Sequence, residues 1–326
     1  VYTADMPTTG AENGLSLASL RGLSYYDPLW DALLDQLDLT DPNLYVALAA
    51  SYDQTAAVVS VGKPATVDYD GPQGIVGSIT DSFEYTAYPC EPIIAATFNR
   101  DLAYKMGEAV GQEAIAAGVN SWYAPAMNLH RSPFSGRNFE YYSEDPVLSG
   151  QMAASEVSGC SDQGLITTIK HFALNDQEMY DNDRSRVATW ANEQAIRELY
   201  LKPFEIAVKK GGSLGVMSSF NYIGHEWAGG CEALLTQVLR SEWGFEGVVI
   251  TDSNRYSYMY VDQMIYAGGD LSLDFMAAFK MPGGEDQKNR LLAAAENPDT
   301  KIGFALGLQR ASKDILYAVS NTWNMQ

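Results

Sequence analysis

Gly247-Val-Val-Ile-Thr-Asp252 is a short apolar stretch that ends abruptly in a carboxylate. It is apolar on both faces, which is typical of a buried strand in a parallel sheet. An ionised aspartate beside such a strand is costly unless it is hydrogen-bonded or used in chemistry. Asp252 is therefore either a functional carboxylate or a cap for a helix that begins near Arg255, and this stretch alone leaves both interpretations open.

Short apolar stretches of the same kind alternate with longer segments that have helical spacing. The predicted strands span residues 119–124, 165–170, 214–220, 247–252 and 268–273. The predicted helices span residues 28–37, 43–50, 99–118, 146–160, 191–210, 232–243 and 302–319. Such alternation indicates βαβ units. We expect an α/β fold of the (β/α)8 TIM-barrel type with irregular first strands. A doubly wound sheet is the alternative, but no strand is followed by the Gly-x-Gly-x-x-Gly fingerprint of dinucleotide-binding sheets.

The chain has 326 residues, of which 46% are hydrophobic and 19% are charged. It can therefore bury a large core and is not expected to be disordered. Residues 1–25, rich in Gly, Thr and Ser, predict a lead-in or linker segment, and residues 26–326 predict a single barrel domain. The chain starts at Val1 without a charged and apolar leader, which indicates a processed chain or a fragment.

The charge of the chain is strongly acidic. There are 41 acidic and 21 basic side chains, which gives a formal net charge of −20. Nucleic-acid binding needs a cationic surface, so nucleic acid and anionic lipid are not expected as partners. No apolar stretch is long enough to predict a membrane span. A neutral substrate such as a sugar suits this charge better, although the charge also serves solubility.

Metal and cofactor sites have no support in the sequence. His130, His171 and His225 are not spaced as metal ligands on one helix, and no Cys-x-x-Cys pair occurs. We therefore predict no metal and no cofactor. The three cysteines are odd in number and scattered, which fits a reducing interior or simple core packing.

Three further segments carry polar groups where predicted strands end, which is where barrel enzymes place their chemistry. Lys170 and His171 end one apolar stretch and can bind sugar hydroxyls, unless Lys170 reaches solvent and His171 is a core residue. Arg137 can donate two hydrogen bonds to vicinal hydroxyls or orient a carboxylate. Alternatively, it can form an internal ion pair with a glutamate of its own loop. Asp70 precedes Gly-Pro, a turn sequence that explains its position equally well.

Together these segments resemble glycoside hydrolase family 3 of the β-glucosidase type, over roughly residues 60–275. The matching pieces are Asp70-Gly-Pro-Gln-Gly, Ser135-Gly-Arg-Asn-Phe-Glu-Tyr-Tyr-Ser-Glu-Asp-Pro146, Lys170-His-Phe-Ala-Leu-Asn-Asp-Gln-Glu178, Val216-Met-Ser-Ser-Phe-Asn221 and Trp243-Gly-Phe-Glu-Gly-Val-Val-Ile-Thr-Asp252. Any one of these segments alone is weak evidence for the family, but all five occur in the order in which the family has them, which is a strong signal.

The resemblance implies a role for each matching position. Asp252 matches the catalytic nucleophile. Lys170 and His171 match the pair that hydrogen-bonds the sugar next to the scissile bond, and Arg137 matches an arginine that contacts the same sugar. Asp70 matches the carboxylate that binds hydroxyls far from the anomeric carbon. The implied reaction is the retaining hydrolysis of terminal β-linked sugars, and the implied ligand is a β-linked oligosaccharide or glycoside.

Other positions match the family less well. Arg184 is a candidate for a further sugar-binding arginine, although Arg186 competes with it. Phe220 stands where many members have a tyrosine near the nucleophile. Ser253 stands where many have a tryptophan, and Val76 where some have an arginine. These departures leave the sugar specificity open.

The resemblance also implies a missing part. Members of this type usually take the general acid/base from an α/β-sandwich domain, and none lies in these residues. The sequence of residues 135–146 is similar to that of the subgroup in which the sandwich domain precedes the barrel. Val1 would then mark a cut between the two domains. Two alternatives remain: an inactive carbohydrate-binding barrel, and a Schiff-base lyase that uses Lys170.

Overall fold

The computed structural model describes residues 4–51, 54–77, 81–177 and 187–325. The strands, numbered in chain order, are β1 Ala50–Ser51, β2 Gln54–Thr55, β3 Thr66–Tyr69, β4 Ser121–Trp122, β5 Ile166–Phe172, β6 Ala188–Thr189, β7 Gly215–Ser218, β8 Tyr222–Ile223, β9 Glu226–Trp227, β10 Val248–Thr251 and β11 Ser272–Leu273. The helical segments longer than four residues are Leu29–Leu34, Pro42–Ala49, Glu91–Ala96, Arg100–Ala117, Pro146–Ser161, Ile196–Tyr200, Lys202–Ile206, Ala207–Gly211, Ala233–Glu242, Val261–Ala267, Asp286–Glu296 and Lys301–Ser320. None of these helices is long and apolar enough to cross a bilayer.

Parallel pairing connects the central strands. The order is β1, β11, β10, β7, β5, β4 and β3, with β10 joined to β11 through a bridge between Ile250 and Leu271. The short β2 lies at the end of this order and runs antiparallel to β3. The predicted α/β fold of the TIM-barrel type is thus confirmed, with its irregularity in β1 and β2. Outside it, β6, β8 and β9 form a small sheet.

Local signals explain where the helices begin and end. The Asn99 side chain accepts a hydrogen bond from the Leu102 N–H, and Gly118 adopts a left-handed conformation, so the helix Arg100–Ala117 lies within its predicted bounds. Asp145 caps the helix Pro146–Ser161, as its sequence predicts.

The predicted helix 191–210 is helical over most of its length but is not one regular α-helix. Leu201 keeps right-handed helical dihedral angles, while the hydrogen bonds change from the π pattern of Ile196–Tyr200 to the α pattern of Lys202–Ile206. Pro203 lies two residues later, and it has no N–H and cannot continue the backbone ladder. The predicted strand 268–273 is shortened to Ser272–Leu273, because Gly268 is the left-handed residue that ends the helix Val261–Ala267. That helix and the helix Asp286–Glu296 are not among the elements predicted from the sequence.

Two apolar clusters form the core. One combines side chains inside the barrel with those of the first and last helices, and it includes Trp30 and Phe304. The other lies between the sheet and the outer helices and includes Trp122 and Phe204. Residues 1–25, predicted as a lead-in, contribute the fully buried Leu17 to the first cluster.

A buried ion network joins the last helix to the sheet. Asp270, which is fully buried just before β11, accepts hydrogen bonds from Arg240 and Arg310, each at 2.6 Å, and from the Val249 N–H. Asp314 of the last helix pairs with Arg240 at 3.1 Å. Because both aspartates have arginine partners, the network fixes β10 against β11 without leaving a buried charge unpaired.

Replacing Asp145 with alanine tests the helix cap. The Asp145 carboxylate accepts hydrogen bonds from the Val147 and Leu148 N–H groups, at 2.7 and 2.8 Å. Asp145→Ala should lower the free energy of unfolding by about 1 kcal/mol, measured by urea denaturation. Glu144→Ala, its exposed neighbour, is the matched control. Equal stability of the two variants would contradict the cap.

Candidate active site

The candidate residues gather at one edge of the barrel. Asp70 directly follows β3, Lys170 and His171 lie near the end of β5, and Asp252 follows β10. These strands are parallel, so their carboxyl ends face the same side. The Asp252 N–H donates to the carbonyl of Ser218, the last residue of β7, at 3.0 Å. Four strands thus supply one site.

Asp252 is a buried carboxylate, only 7% exposed. Its Oδ1 atom accepts a hydrogen bond from the Ser253 N–H at 2.7 Å, and its Oδ2 atom lies 3.8 Å from Nε2 of His171. The helix that follows begins at Val261, so the interpretation of Asp252 as a cap near Arg255 is wrong. The carboxylate is left facing the site.

His171 lies at the centre of a hydrogen-bonded group. Its Nε2 atom is 3.2 Å from a guanidinium nitrogen of Arg137, and its Nδ1 atom is 3.4 Å from the Tyr141 hydroxyl. Its backbone N–H and carbonyl both bond to the side chain of Asn128, at 2.8 and 2.9 Å. These contacts fix the orientation of the ring beside Asp252.

Lys170 and Asp70 form an ion pair across the mouth of the site. The Lys170 side chain is only 2% exposed, so the prediction that it could reach solvent is wrong, whereas the Asp70 side chain is 63% exposed. Partial withdrawal from water raises the pKa of Asp70, but the charge and hydrogen bond of Lys170 and the N–H of Gly71 outweigh it. The pKa of Asp70 therefore lies below its ordinary value, and the group is an anion at neutral pH.

Arg137 forms the internal pair with Glu140 that its loop sequence allowed. Burial would lower the pKa of Arg137, but Tyr141, Glu140 and Asp252 raise it well above its ordinary value. Arg137 therefore stays a cation. It contacts Glu140 and His171 together, so the internal pair is present in the structure, and the sugar-binding role of Arg137 stays a prediction.

The remaining predicted residues are less directly placed. The ring of Phe220 is 1% exposed and packs edge-on against Tyr256, with centroids 5.3 Å apart, so its contact with a sugar stays a prediction. Arg184 and its competitor Arg186 lie outside the described residues. Among the residues that are described, no group of three or more His, Cys, Asp or Glu side chains could hold a metal ion.

Sequence reasoning missed several residues that support the site. Asn128 and Tyr141 hold His171, and neither residue type stands out in a sequence. Asp176 is buried and accepts a hydrogen bond from the Leu129 N–H. This bond connects the segment after β5 to the loop after β4. The run Asn175-Asp176 after an apolar segment was the available signal for this anchor. Burial raises the pKa of Asp176 to about 7.

The fold and site together define a TIM-type barrel domain whose candidate active site lies at the carboxyl edge of its strands. Residues 35–267 match the family model described as the "Glycosyl hydrolase family 3 N terminal domain". This match covers more than half of the chain, and the chain belongs to that family.

Relatives agree with this assignment. Beta-glucosidase A of Butyrivibrio fibrisolvens is 40% identical, with 71% of this chain and 27% of that protein covered. A beta-glucosidase of Rhizobium radiobacter is 36% identical, with coverages of 83% and 32%. Beta-glucosidase 3B of Thermotoga neapolitana, solved with α-D-glucose, is 36% identical with a TM-score of 0.82, with 91% of this chain and 43% of that chain covered. This chain thus spans about a third of the curated relatives it matches.

The buried Asp176 makes the stability of the domain depend on pH. Its pKa is about 7 in the folded protein against an ordinary 3.8, so the folded state keeps a proton that the unfolded chain loses in this range. The stabilisation that Asp176 gives the folded state is fully present below about pH 3.8 and is lost as the pH rises to about 7. Asp176→Asn, which keeps an acceptor for Leu129, should therefore flatten the fall in unfolding free energy between these pH values. Urea denaturation at several pH values measures this, and the exposed Asp299→Asn, as control, should follow the wild type.

Proposed function

We propose that this chain is the catalytic barrel of a retaining, exo-acting β-glycosidase, most simply a β-glucosidase, with Asp252 as its nucleophile. The observation that carries the proposal is the position of this carboxylate. It is buried at the end of a barrel strand, beside His171 and within the field of Arg137. A buried anion next to hydrogen-bond donors is ready for attack and does not have to shed a full shell of water.

The reaction has two steps. In the first, a carboxylate oxygen of Asp252 forms a bond to the anomeric carbon, while the bond to the leaving oxygen breaks and that oxygen takes a proton from a general acid. In the second, the acid, now a base, removes a proton from water, which attacks the same carbon and releases Asp252. The two carboxyl groups must lie about 5–5.5 Å apart in such an enzyme.

The other residues bind the sugar in this proposal. Asp70 and Lys170 form a charged donor and acceptor pair that suits hydroxyl groups remote from the anomeric carbon. Arg137 supplies hydrogen-bond donors nearer to Asp252, and the His171 ring lies between them, with its Nε2 atom in contact with Arg137 and 3.8 Å from Asp252. Binding energy from the remote hydroxyls can then be used to distort the ring toward the transition state.

The general acid/base belongs to a partner in this proposal. The curated relatives are named beta-glucosidases, and this chain spans only 27% and 32% of the first two. An α/β-sandwich domain that closes over the open mouth near Asp70 would complete the pair of carboxyl groups. The sequence of residues 135–146 predicts that the sandwich domain precedes the barrel in the gene product, and this order stays a prediction.

Two alternatives are outcomes of the tests below. An inactive carbohydrate-binding barrel would bind sugars through Asp70 and Lys170 without covalent chemistry. A Schiff-base lyase would need Lys170 as a free amine nucleophile. The ion pair of Lys170 with Asp70 favours hydrogen bonding over that role.

Covalent labelling tests the nucleophile with the chain as it stands. A 2,4-dinitrophenyl 2-deoxy-2-fluoro-β-glucoside has a leaving group that needs no acid, so the first step can proceed without a partner domain. We expect a single glycosyl adduct, located on the peptide that contains Asp252 by mass spectrometry. Asp252→Asn should abolish the adduct and keep the fold, as judged by circular dichroism. In the complete enzyme it should lower kcat for aryl β-glycosides to less than about a tenth of the wild-type value.

Asp262→Asn is the matched control, since Asp262 lies outside the site in an ion pair with Arg290. It should be labelled like the wild type. Labelling of Asp252→Asn, or an adduct on another residue, would refute the assignment. Sugar binding without any adduct would favour the inactive barrel, and borohydride trapping of a carbonyl substrate on Lys170 would favour the lyase.

Asp70 should determine affinity for the sugar. Asp70→Asn removes the anion from its pair with Lys170 and weakens the hydrogen bonds to sugar hydroxyls. Loss of a charged hydrogen bond should raise the apparent dissociation constant of the fluoroglucoside by about 10- to 100-fold. The measurement is the concentration dependence of the labelling rate. A change of less than about twofold, while Asp299→Asn behaves as wild type, would remove Asp70 from the sugar site.

A further inference from the structure

Arg255 is an exposed arginine in the connection that follows Asp252. Its Nη2 and Nε atoms both donate to the Ser253 hydroxyl, at 2.9 and 3.3 Å. Its guanidinium also lies over the ring of Phe275, with the central carbon 4.4 Å from the ring centroid. A long side chain on a surface normally samples many rotamers, whereas these two contacts hold the charged end of Arg255 in one place.

The guanidinium held in this way is close to the proposed nucleophile. The Ser253 N–H donates to Oδ1 of Asp252 at 2.7 Å, and the hydroxyl of the same serine accepts from Arg255 at 2.9 Å. Because both serine atoms belong to one small residue, a nitrogen of Arg255 lies within about 10 Å of the Asp252 carboxylate. A group that leaves from a sugar bound at Asp252 is within that reach.

Two aromatic rings extend this part of the site. Phe275 follows β11 as Arg255 follows β10, and a parallel bridge joins the two strands, so both connections lie at the carboxyl edge of the barrel. The Phe275 N–H donates to the Asn254 carbonyl at 3.2 Å, which joins the two connections. Phe279 is 55% exposed and packs against Phe275 with ring centroids 4.6 Å apart. Arg255, Phe275 and Phe279 thus form one continuous surface beside Asp252.

The charge of Arg255 is not compensated by a carboxylate within the described part of the chain. Its contacts there are the neutral Ser253 hydroxyl and the Phe275 ring, whereas Arg137 pairs with Glu140. The N–H groups along its Nη1–Nη2 edge are therefore available, apart from the one that binds Ser253. This edge matches the two oxygens of a carboxylate, which accept parallel hydrogen bonds from a guanidinium.

We propose that Arg255, Phe275 and Phe279 form a leaving-group subsite that favours β-glycosides of aryl carboxylates. The carboxylate of the leaving group accepts hydrogen bonds from Arg255, and its aryl ring packs against Phe279. Arg255 determines specificity and makes or breaks no bond. The subsite deepens the function proposed above and rests on it.

The leaving group suits the anion better than the sugar does. Asp70 is an anion with a 63% exposed side chain, and the proposed function assigns it to the hydroxyls remote from the anomeric carbon. A carboxylate or phosphate on that part of the sugar would be repelled by Asp70. On the leaving group, the charge of Arg255 offsets the repulsion between the substrate carboxylate and Asp252.

A matched pair of labelling reagents tests the subsite with the chain as it stands. The reagents are the 2-deoxy-2-fluoro-β-glucosides of 4-hydroxy-3-nitrobenzoate and of 4-hydroxy-3-nitrobenzamide, which differ in one charge and carry good leaving groups. The wild-type dissociation constant should be about tenfold lower for the carboxylate reagent, as expected for a hydrogen bond to a charged group. The maximal labelling rates should be similar, and added salt should reduce the preference.

Variants of the subsite separate charge from packing. Arg255→Gln should reduce the preference for the carboxylate reagent to less than about twofold by weakening the binding of that reagent alone. Arg255→Lys keeps the charge without the fork and should retain part of the preference. Phe279→Ala should weaken both reagents alike. Arg21→Gln, at an exposed arginine that follows the helical turn Leu17–Leu20, is the matched control and should behave as the wild type.

Two results of this comparison would overturn the subsite. One is an equal preference in the wild type and Arg255→Gln. The other is an equal loss of affinity for both reagents in Arg255→Gln, because Arg255 would then act only through its packing on Phe275.

A measurement without a sugar distinguishes this subsite from the proposed function. The Nε–H signal of Arg255 in the NMR spectrum, identified by its absence in Arg255→Gln, should shift on addition of benzoate but not of benzamide. If neither reagent labels the chain, the proposed function fails, while a shift with benzoate still supports the anion site. An unchanged Arg255 signal would overturn that site.

Discussion

The burial of Asp252 at the end of β10 is the constraint on which the site depends. A carboxylate that is 7% exposed must be compensated by its surroundings. His171 approaches one oxygen, the Ser253 N–H bonds to the other, and the charge of Arg137 acts on the same carboxylate. Since His171 lies near the end of β5 and Arg137 comes from the loop before the helix Pro146–Ser161, three segments that are distant in the chain meet at this one side chain.

Near the start of β11, buried carboxylates are paired with arginines inside the fold. Asp270 and Asp314 are fully buried and have arginine partners. At the mouth of the candidate site, by contrast, Lys170 is buried and its partner Asp70 is open to water. The first arrangement joins the last helix to the sheet. The second leaves one member of a charged pair accessible, as the proposed sugar binding requires.

The sequence predicted most of the barrel and the strand ends at which the candidate residues gather, because both rest on local patterns. An apolar stretch that ends in Asp252, or in Lys170 and His171, is visible without a structure. Two-residue strands such as β1 and β2 are too short to have a periodicity, so they could not be predicted. Tyr141 and Asn128 could not be predicted either, because their roles come from contacts between segments far apart in the chain.

Glu91 and Glu156 show most clearly why sequence patterns are insufficient here. Each lies in a helix, where a glutamate usually indicates a solvated face, and only the packing of the two helices shows that both are buried. Around Asp252 the structure places a histidine and an arginine, whereas the described hydrogen bonds of these glutamates come from the Tyr142 hydroxyl and the Gln73 amide. Burial therefore raises the pKa of both glutamates above the ordinary value. Because Gln73 and Tyr142 lie in the segments that carry Asp70 and Arg137, these buried contacts connect two helices to the loops of the candidate site.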